Sequence, residues 1–237
     1  MKRIIGLLLF TASLLSSDLL LQIDKNLQPG SSETYKKLIN IEPDGSKKEF
    51  LLYQAKSGTD KMVSSFLKPV SEKGRNTLRL GENMWLYMPS VGRPIRITSM
   101  QSVVGGVFNN SDIMRVDFSS EYNLVKEKTD KATYVLELKA KNDTIAYDKL
   151  LMIVDKKTTT PTQIECYSST GMLIKTLYYK NIKDFGSGIV RPSVIETKSP
   201  FYKGYKSIMI YGKITPKKFA AETFTIDNIN KVNDLRR

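Results

Sequence analysis

From Ser31 to Pro216 the chain alternates apolar and polar residues with a period of two, and Gly, Pro or an Asp/Asn pair interrupts the pattern at short intervals. That period sends successive side chains to opposite faces of an extended strand. A chain written this way builds sheet, not a helical bundle. "SETYKKLINIEP" and "KKEFLLYQAKSG" flank Asp44-Gly45, the strongest short hairpin signal. "DKMVSSFLKP", "NTLRLG", "NMWLYMP" and "RPIRITS" follow, most of them closed by Gly or Pro. "MRVDFSS", "YNLVKEK", "ATYVLELKAK", "KLLMIVDKKT", "TQIECYSSTG", "LIKTLYYKNIKDF", "IVRPSVIETKS" and "GYKSIMIYGKIT" continue the habit. In the third of these, Tyr134, Leu136, Leu138 and Ala140 share a face, opposite Glu137 and Lys139. Strands this numerous and regular predict an antiparallel meander that curls into a barrel or half-barrel.

Two segments break the rhythm. "SDLLLQIDKNLQPG" reads as an amphipathic helix capped by Ser17 or Asp18 and stopped by Pro29-Gly30. Its Leu19, Leu20, Ile23 and Leu27 fall on one face. Residues 99–113, "SMQSVVGGVFNNSDI", space Met100, Val103, Val104, Val107 and Phe108 as a helix would, but Gly105-Gly106 weakens a helix. This predicts a short, loose helical or loop segment, apolar on one side, with Asn110-Ser111-Asp112 as a cap or turn. Helical character returns near Lys217 to Glu222. No linker or repeat splits the chain, so residues 18–237 are expected to form a single domain.

The first residues, "MKRIIGLLLFTASLLSS", have the shape of a secretory signal peptide: Lys2 and Arg3, an apolar run from Ile4 to Leu15, then small polar residues. The expected cut follows Ser16 or Ser17, and the run is short for a membrane span. No cysteine lies near that cut to carry a lipid. The expectation is a protein of the bacterial envelope space that is not lipid-anchored.

The chemistry available is narrow. There is no histidine, which excludes the Ser-His-Asp, Cys-His and His-ligated metal arrangements. The one cysteine, Cys166, alternates within a strand and reads as a structural thiol. No phosphate-cradling glycine loop and no nucleophile elbow occur. Asp112, Asp117 and Glu121 read as caps and surface charges. The net charge of +13 is spread along the chain without a basic block, the pattern of a lysine-rich surface more than of a nucleic-acid site. We expect no enzyme activity, no cofactor, no metal, no nucleic-acid partner and a monomer.

"NMWLYMP" is apolar on both faces, Met84, Leu86 and Met88 on one and Trp85 and Tyr87 on the other. A strand in a one-layer sheet with a wet face should alternate. This one needs a cover on each side: a helix, a lid or a greasy ligand.

"KGRNTLRLGENMWLYMPSVGRPIRITSMQSVVGGVFNNSDIMRVDFSSEYN" closely resembles the signature region of the outer membrane lipoprotein-sorting proteins, relatives of the LolA carrier and the LolB acceptor. "DLLLQIDKNLQP", "KEFLLYQAKSGTDKMVSSFLKP", "AYDKLLMIVDKKTTTPTQIECYSSTGMLIKTLYY" and "IVRPSVIETKS" extend the resemblance over nearly the whole chain after residue 17. It implies a mostly β (α+β) fold, an unclosed, strongly curved antiparallel β-barrel with helices covering the concave face. It also implies a periplasmic carrier that shelters lipid or lipoprotein acyl chains bound for the outer membrane, with an inner-membrane transporter complex as donor. The alternative is an envelope module that docks a protein partner in the same groove. Trp85, Tyr87 and Pro89 match the family's W-x-Y-x-P, Arg93 and Arg96 its later arginines, and Asn110, Ser111, Asp112 and Asp117 its next motif. On this resemblance Trp85 and Tyr87, or their neighbours Met84, Leu86 and Met88, line the cavity, and Val103, Val104, Val107 and Phe108 form a lid. Arg93 and Arg96 then pair with Asp112 or Asp117 to latch the lid, or meet a lipid head group. The carrier reading expects a greasy, partly vacant hollow.

Overall fold

A computed structural model describes residues 11–236, with side chains from residue 18 onward. Residues 1–10, and so most of the expected signal peptide, lie outside the described residues. The helix α1, Thr11–Leu27, starts before the expected cap and ends just ahead of Pro29. Its Leu20, Ile23 and Leu27 are buried, as the spacing predicts.

Thirteen antiparallel strands form one sheet. They are β1 (Ser31–Ile41), β2 (Lys47–Ser57), β3 (Lys61–Lys68), β4 (Asn76–Leu80), β5 (Asn83–Tyr87), β6 (Pro94–Ile97), β7 (Tyr122–Thr129), β8 (Thr133–Ala140), β9 (Lys149–Asp155), β10 (Thr160–Tyr167), β11 (Leu173–Asp184), β12 (Val190–Lys198) and β13 (Lys206–Pro216). The strand order is β6-β5-β4-β3-β2-β1-β13-β12-β11-β10-β9-β8-β7. The sequence thus runs outward from β1 to one edge, jumps through residues 98–121 to the other edge, and returns to close against β1 at β13. β6 and β7 remain unpaired edges, so the curled sheet is an unclosed half-barrel. The Asp44-Gly45 hairpin forms as expected: Gly45 sits at φ 85°, and the Asp44 carboxylate accepts from the Ser46 N–H at 2.8 Å.

The inner face of the curl carries the main core. Leu136, Leu138, Leu150, Met152, Val154, Ile164 and Cys166 pack there beneath α1 and the 98–121 crossover. The outer face carries a cover over β1 to β5. There Tyr53, Ala55, Val63 and Leu78 meet the 3-10 segments Ala221–Phe224 and Ile229–Arg236, with Trp85 and Tyr87 against them.

One expectation needs correction and one alternative is decided. "MRVDFSS" is not a strand: residues 114–117 are irregular, and α3 (Phe118–Glu121) follows as a single turn. Of the helical and loop alternatives for Met100 to Phe108, the structure takes the loop. Val104 and Gly105 both take positive φ, 48° and 73°, which breaks any helical run. The helix there is α2, Asn110–Ile113, one turn long. Its cap is Asn109, in a reciprocal capping box with Asp112.

Trp85 is the only tryptophan, so it reports on the outer cover. Phe224→Ala should cost about 3–5 kcal/mol, the usual range for a truncated core aromatic. It should red-shift Trp85 emission. Chemical denaturation followed by fluorescence checks both.

Candidate functional site

The concave side was expected to hold a greasy, partly vacant hollow; among the described residues it is largely occupied by the protein itself. The segment 98–117 folds down into the curl, and α1 fills the rest. Among the described residues, small spaces of about 20 Å3 each lie under them. A space that size holds one water molecule. The occupants are the protein's own lid and helix.

What holds the lid is polar. Asn40, Lys175, Lys36, Gln54 and Arg79 reach up from the sheet and donate to lid carbonyls. Asn40 Nδ2 meets Val104 O at 3.3 Å, Lys175 Nζ meets Val107 O at 2.5 Å, and Arg79 Nη1 meets Met114 O at 3.0 Å. Lys36 Nζ and Gln54 Nε2 share the Ile113 carbonyl at 3.3 and 2.9 Å. Ser207 Oγ accepts from the Val107 N–H at 2.9 Å and donates to Asn40 Oδ1 at 2.7 Å. Gly106 presses on Asn40 so closely that an added Cβ would stand 2.2 Å from Asn40 Oδ1. Only glycine lets the lid seat here.

Four carboxylates complete the lock. Asp112 accepts from Lys175 at 2.8 Å and from the Tyr147 hydroxyl at 2.9 Å, with Arg115 at 3.7 Å. Asp117 pairs with Lys56 at 2.6 Å, and Glu121 with Arg79. Asp24, on α1, accepts the Phe118 and Ser119 N–H groups at 2.7 and 2.9 Å. Burial pushes the Asp24 carboxyl up to about 6, against the lowering effect of those hydrogen bonds. Burial also lowers Lys36. Tyr211 moves the other way: burial opposes its ionisation, but Lys36 and Arg191 beside it bring the hydroxyl down to about 8. Cys166 is fully buried, and burial pushes its thiol up, as befits a structural group.

The predicted residues separate cleanly. Met84 and Leu86 face inward, and Met84 packs with Met62, Met114 and Ile97 under the lid. Trp85 and Tyr87 face outward under the C-terminal segments, and Met88 lies half-buried beyond the strand end. Both faces of "NMWLYMP" are therefore covered by protein. Val103, Val107 and Phe108 are buried beneath the lid surface and Val104 partly so. Arg93 and Arg96 are exposed, and Arg96 bonds to Asn83. The expected pairing of these arginines with Asp112 or Asp117 is not formed. They sit at the edge strand, facing solvent, while cations from β2 and β11 reach the aspartates first.

Sequence reasoning missed the buried cations Lys36, Lys56, Arg79, Lys175 and Arg191, and the anchor Asp24. The signal was the phase of alternation. Lys36 stands two residues from inward Leu38, Lys175 two from Leu177, and Lys56 two from Gln54, which follows inward Leu52.

An unclosed antiparallel sheet curled over a helix and a polar-pinned crossover lid defines a LolA-type half-barrel. A LolA superfamily protein from Nitrosomonas europaea matches with a TM-score of 0.80 at 26% identity, over 90% of this chain and 98% of its own. A candidate outer membrane lipoprotein-sorting protein domain from Vibrio parahaemolyticus matches at 0.75 and 19%, over 92% and 99%. A DUF1329 family protein from Desulfovibrio piger matches at 0.76 and 19%, over 92% and 98%. The chain belongs to the family described as "-like: Uncharacterized protein", whose model matches residues 58–231. None of the curated proteins matches it. Among the described residues no helix is long and apolar enough to cross a membrane, and no group of candidate metal ligands occurs.

Removing Asp112 leaves Lys175 buried beside no partner carboxylate and takes from Arg115 one of its two, Glu121 remaining at 3.7 Å. Asp112→Ala should cost about 3–5 kcal/mol, whereas Arg96→Ala at the exposed edge should stay within about 0.5 kcal/mol. Urea denaturation of the two variants checks the contrast.

The folded Asp24 pKa lies above its ordinary value of 3.8, so its contribution to stability is fully present below about pH 4 and is lost as pH rises through about 6. Between pH 7 and pH 4 the wild type should gain roughly 2–3 kcal/mol relative to Asp24→Asn. Denaturation midpoints of the pair across that range measure it.

Proposed function

We propose that the protein is a non-catalytic periplasmic carrier that shelters the acyl chains of a lipid or lipoprotein in the half-barrel, on the way to the outer membrane. The observation that carries this reading is the lid. A loop that packs an apolar underside into the curl, yet is pinned through backbone carbonyls and ion pairs, can be lifted without unstitching the sheet. The strand ladder does not pass through it. The fold shared with a LolA superfamily protein supports the same reading.

The energetics permit exchange. Lifting the lid uncovers Val103, Val107, Phe108, Ile113, Met114 and Val116. Six such side chains are worth roughly 9–18 kcal/mol of burial, at about 1.5–3 each. An acyl chain of about sixteen carbons is worth roughly 12 kcal/mol at about 0.8 per methylene. Chain and lid are therefore near-equal competitors for the same face. A carrier needs that balance, since it must both load and release.

The lid contact supplies its own test. An added Cβ at Gly106 would collide with the end of the Asn40 side chain, which Asn40→Cys shortens, so Asn40→Cys with Gly106→Cys is the pair to cross-link across this close contact. The oxidised variant should take up no lipid from envelope extract, by native mass spectrometry, and a reductant should restore uptake. Lipid bound equally by the locked and unlocked forms would contradict a lid-gated carrier. A stoichiometric protein in place of lipid would point to a docking module.

A further inference from the structure

Of the cations buried on the concave face, Lys56, Arg79, Arg115 and Lys175 each reach a carboxylate. Lys36 and Arg191, both 2% exposed, reach none among the described residues. Buried charges are ordinarily paired. These two are held instead by carbonyls. Lys36 donates to Ile113 O on the lid at 3.3 Å, and Arg191 donates to Leu27 O at the end of α1 and to Pro192 O at 3.2 Å. They sit over one ring, Lys36 Nζ 4.7 Å and Arg191 Cζ 3.9 Å from the Tyr211 centroid.

The two small spaces of the interior meet at this point. Both are lined by Gln28, Arg191 and Tyr211, and the second adds Ser32, Thr34 and Lys36. Gln28 Oε1 is buried there without a hydrogen-bond partner. Its amide can turn over to present N–H instead. The first space is walled elsewhere by apolar Phe108, Leu177 and Ile195, and by Asp24, Asp112 and Asp117, of which the last two are already paired with Lys175 and Lys56. A positively charged, hydroxyl-rich corner therefore adjoins an apolar wall, and Lys36 is tied down there by a lid carbonyl and by the neighbouring Tyr211. Lifting the lid frees the Lys36 ammonium, while Arg191 engages Nε and Nη1 and keeps N–H donors to spare.

We infer that the cargo is an anionic amphiphile whose phosphate or carboxylate head group seats against Lys36 and Arg191, with its tail along the apolar wall. This rests on the carrier reading and adds the chemistry of what is carried. An anion would supply the charge that the interior lacks. It would also compete with the Ile113 carbonyl for Lys36, so that loading and lid opening are one event.

The test offers the purified protein equal amounts of phosphatidylglycerol and phosphatidylcholine with identical chains, and counts bound lipid by native mass spectrometry. The wild type should hold phosphatidylglycerol over phosphatidylcholine by about tenfold or more. Lys36→Met with Arg191→Met should bring the ratio to about one while total bound lipid persists. Removing an unpaired buried charge is often neutral or stabilising, so Lys36→Met alone should fold, and it should show an intermediate ratio. Equal uptake of both lipids by the wild type, or a preference that survives the double substitution, would overturn the inference and leave the carrier reading standing. Uptake of neither lipid would sink the carrier reading itself. Millimolar inorganic phosphate is the remaining arm. If it alone raises the melting temperature in a Lys36-dependent way and phosphatidylglycerol adds nothing, the site takes a free anion and the lipid assignment is wrong.

Discussion

A single-layer sheet has two faces, and every apolar residue on either must be covered by something. That constraint explains the architecture. Thirteen strands in one sheet are too many to lie flat, so the right-handed twist curls them. The inner face then closes over α1 and the crossover lid, and the outer face borrows the C-terminal 3-10 segments. The crossover does double duty. It carries the chain from one edge of the sheet to the other, and on the way it plugs the curl.

The inner face is not uniform. Toward β8, β9 and β10 it is hydrocarbon, under α1. Toward β1, β2, β4, β11 and β13 it holds cations, amides and hydroxyls that grip the lid by its backbone. Grip by backbone carbonyl is indifferent to most lid side chains. Gly106 is the exception, because nothing larger fits against Asn40. An apolar plug alone would bind more simply but would resist removal. A polar grip can be exchanged for water or for an anion, bond for bond.

Much of the fold was legible in the sequence, since period-two alternation and turn residues mark strands whatever they pack against. The hairpin at Asp44-Gly45, the end of α1 before Pro29 and the placement of Cys166 followed directly. The stretch 99–121 was half legible: Gly105-Gly106 pointed to a loop, but "MRVDFSS" read as a strand, because the apolar spacing of a loop draped over a core imitates a periodic element. The site was less legible than the fold. Polar residues in a strand are read by default as facing water, so Lys36 looked no different from its neighbour Lys37. Only the fixed phase through Leu38 places one inside and the other out. Arg93 and Arg96 were conspicuous after the turn, yet the edge strand that carries them faces away from the aspartates.

The central claim is that the lid and a guest compete for one face of the curled sheet. Hydrogen exchange on the protein with and without phosphatidylglycerol micelles examines that competition directly. Amides of residues 98–117 should exchange faster when lipid is bound, while those of β9, β10 and β11 stay protected. Lipid that binds while the lid amides keep or gain protection would mean that the guest sits elsewhere, and that the lid is a fixed part of the core.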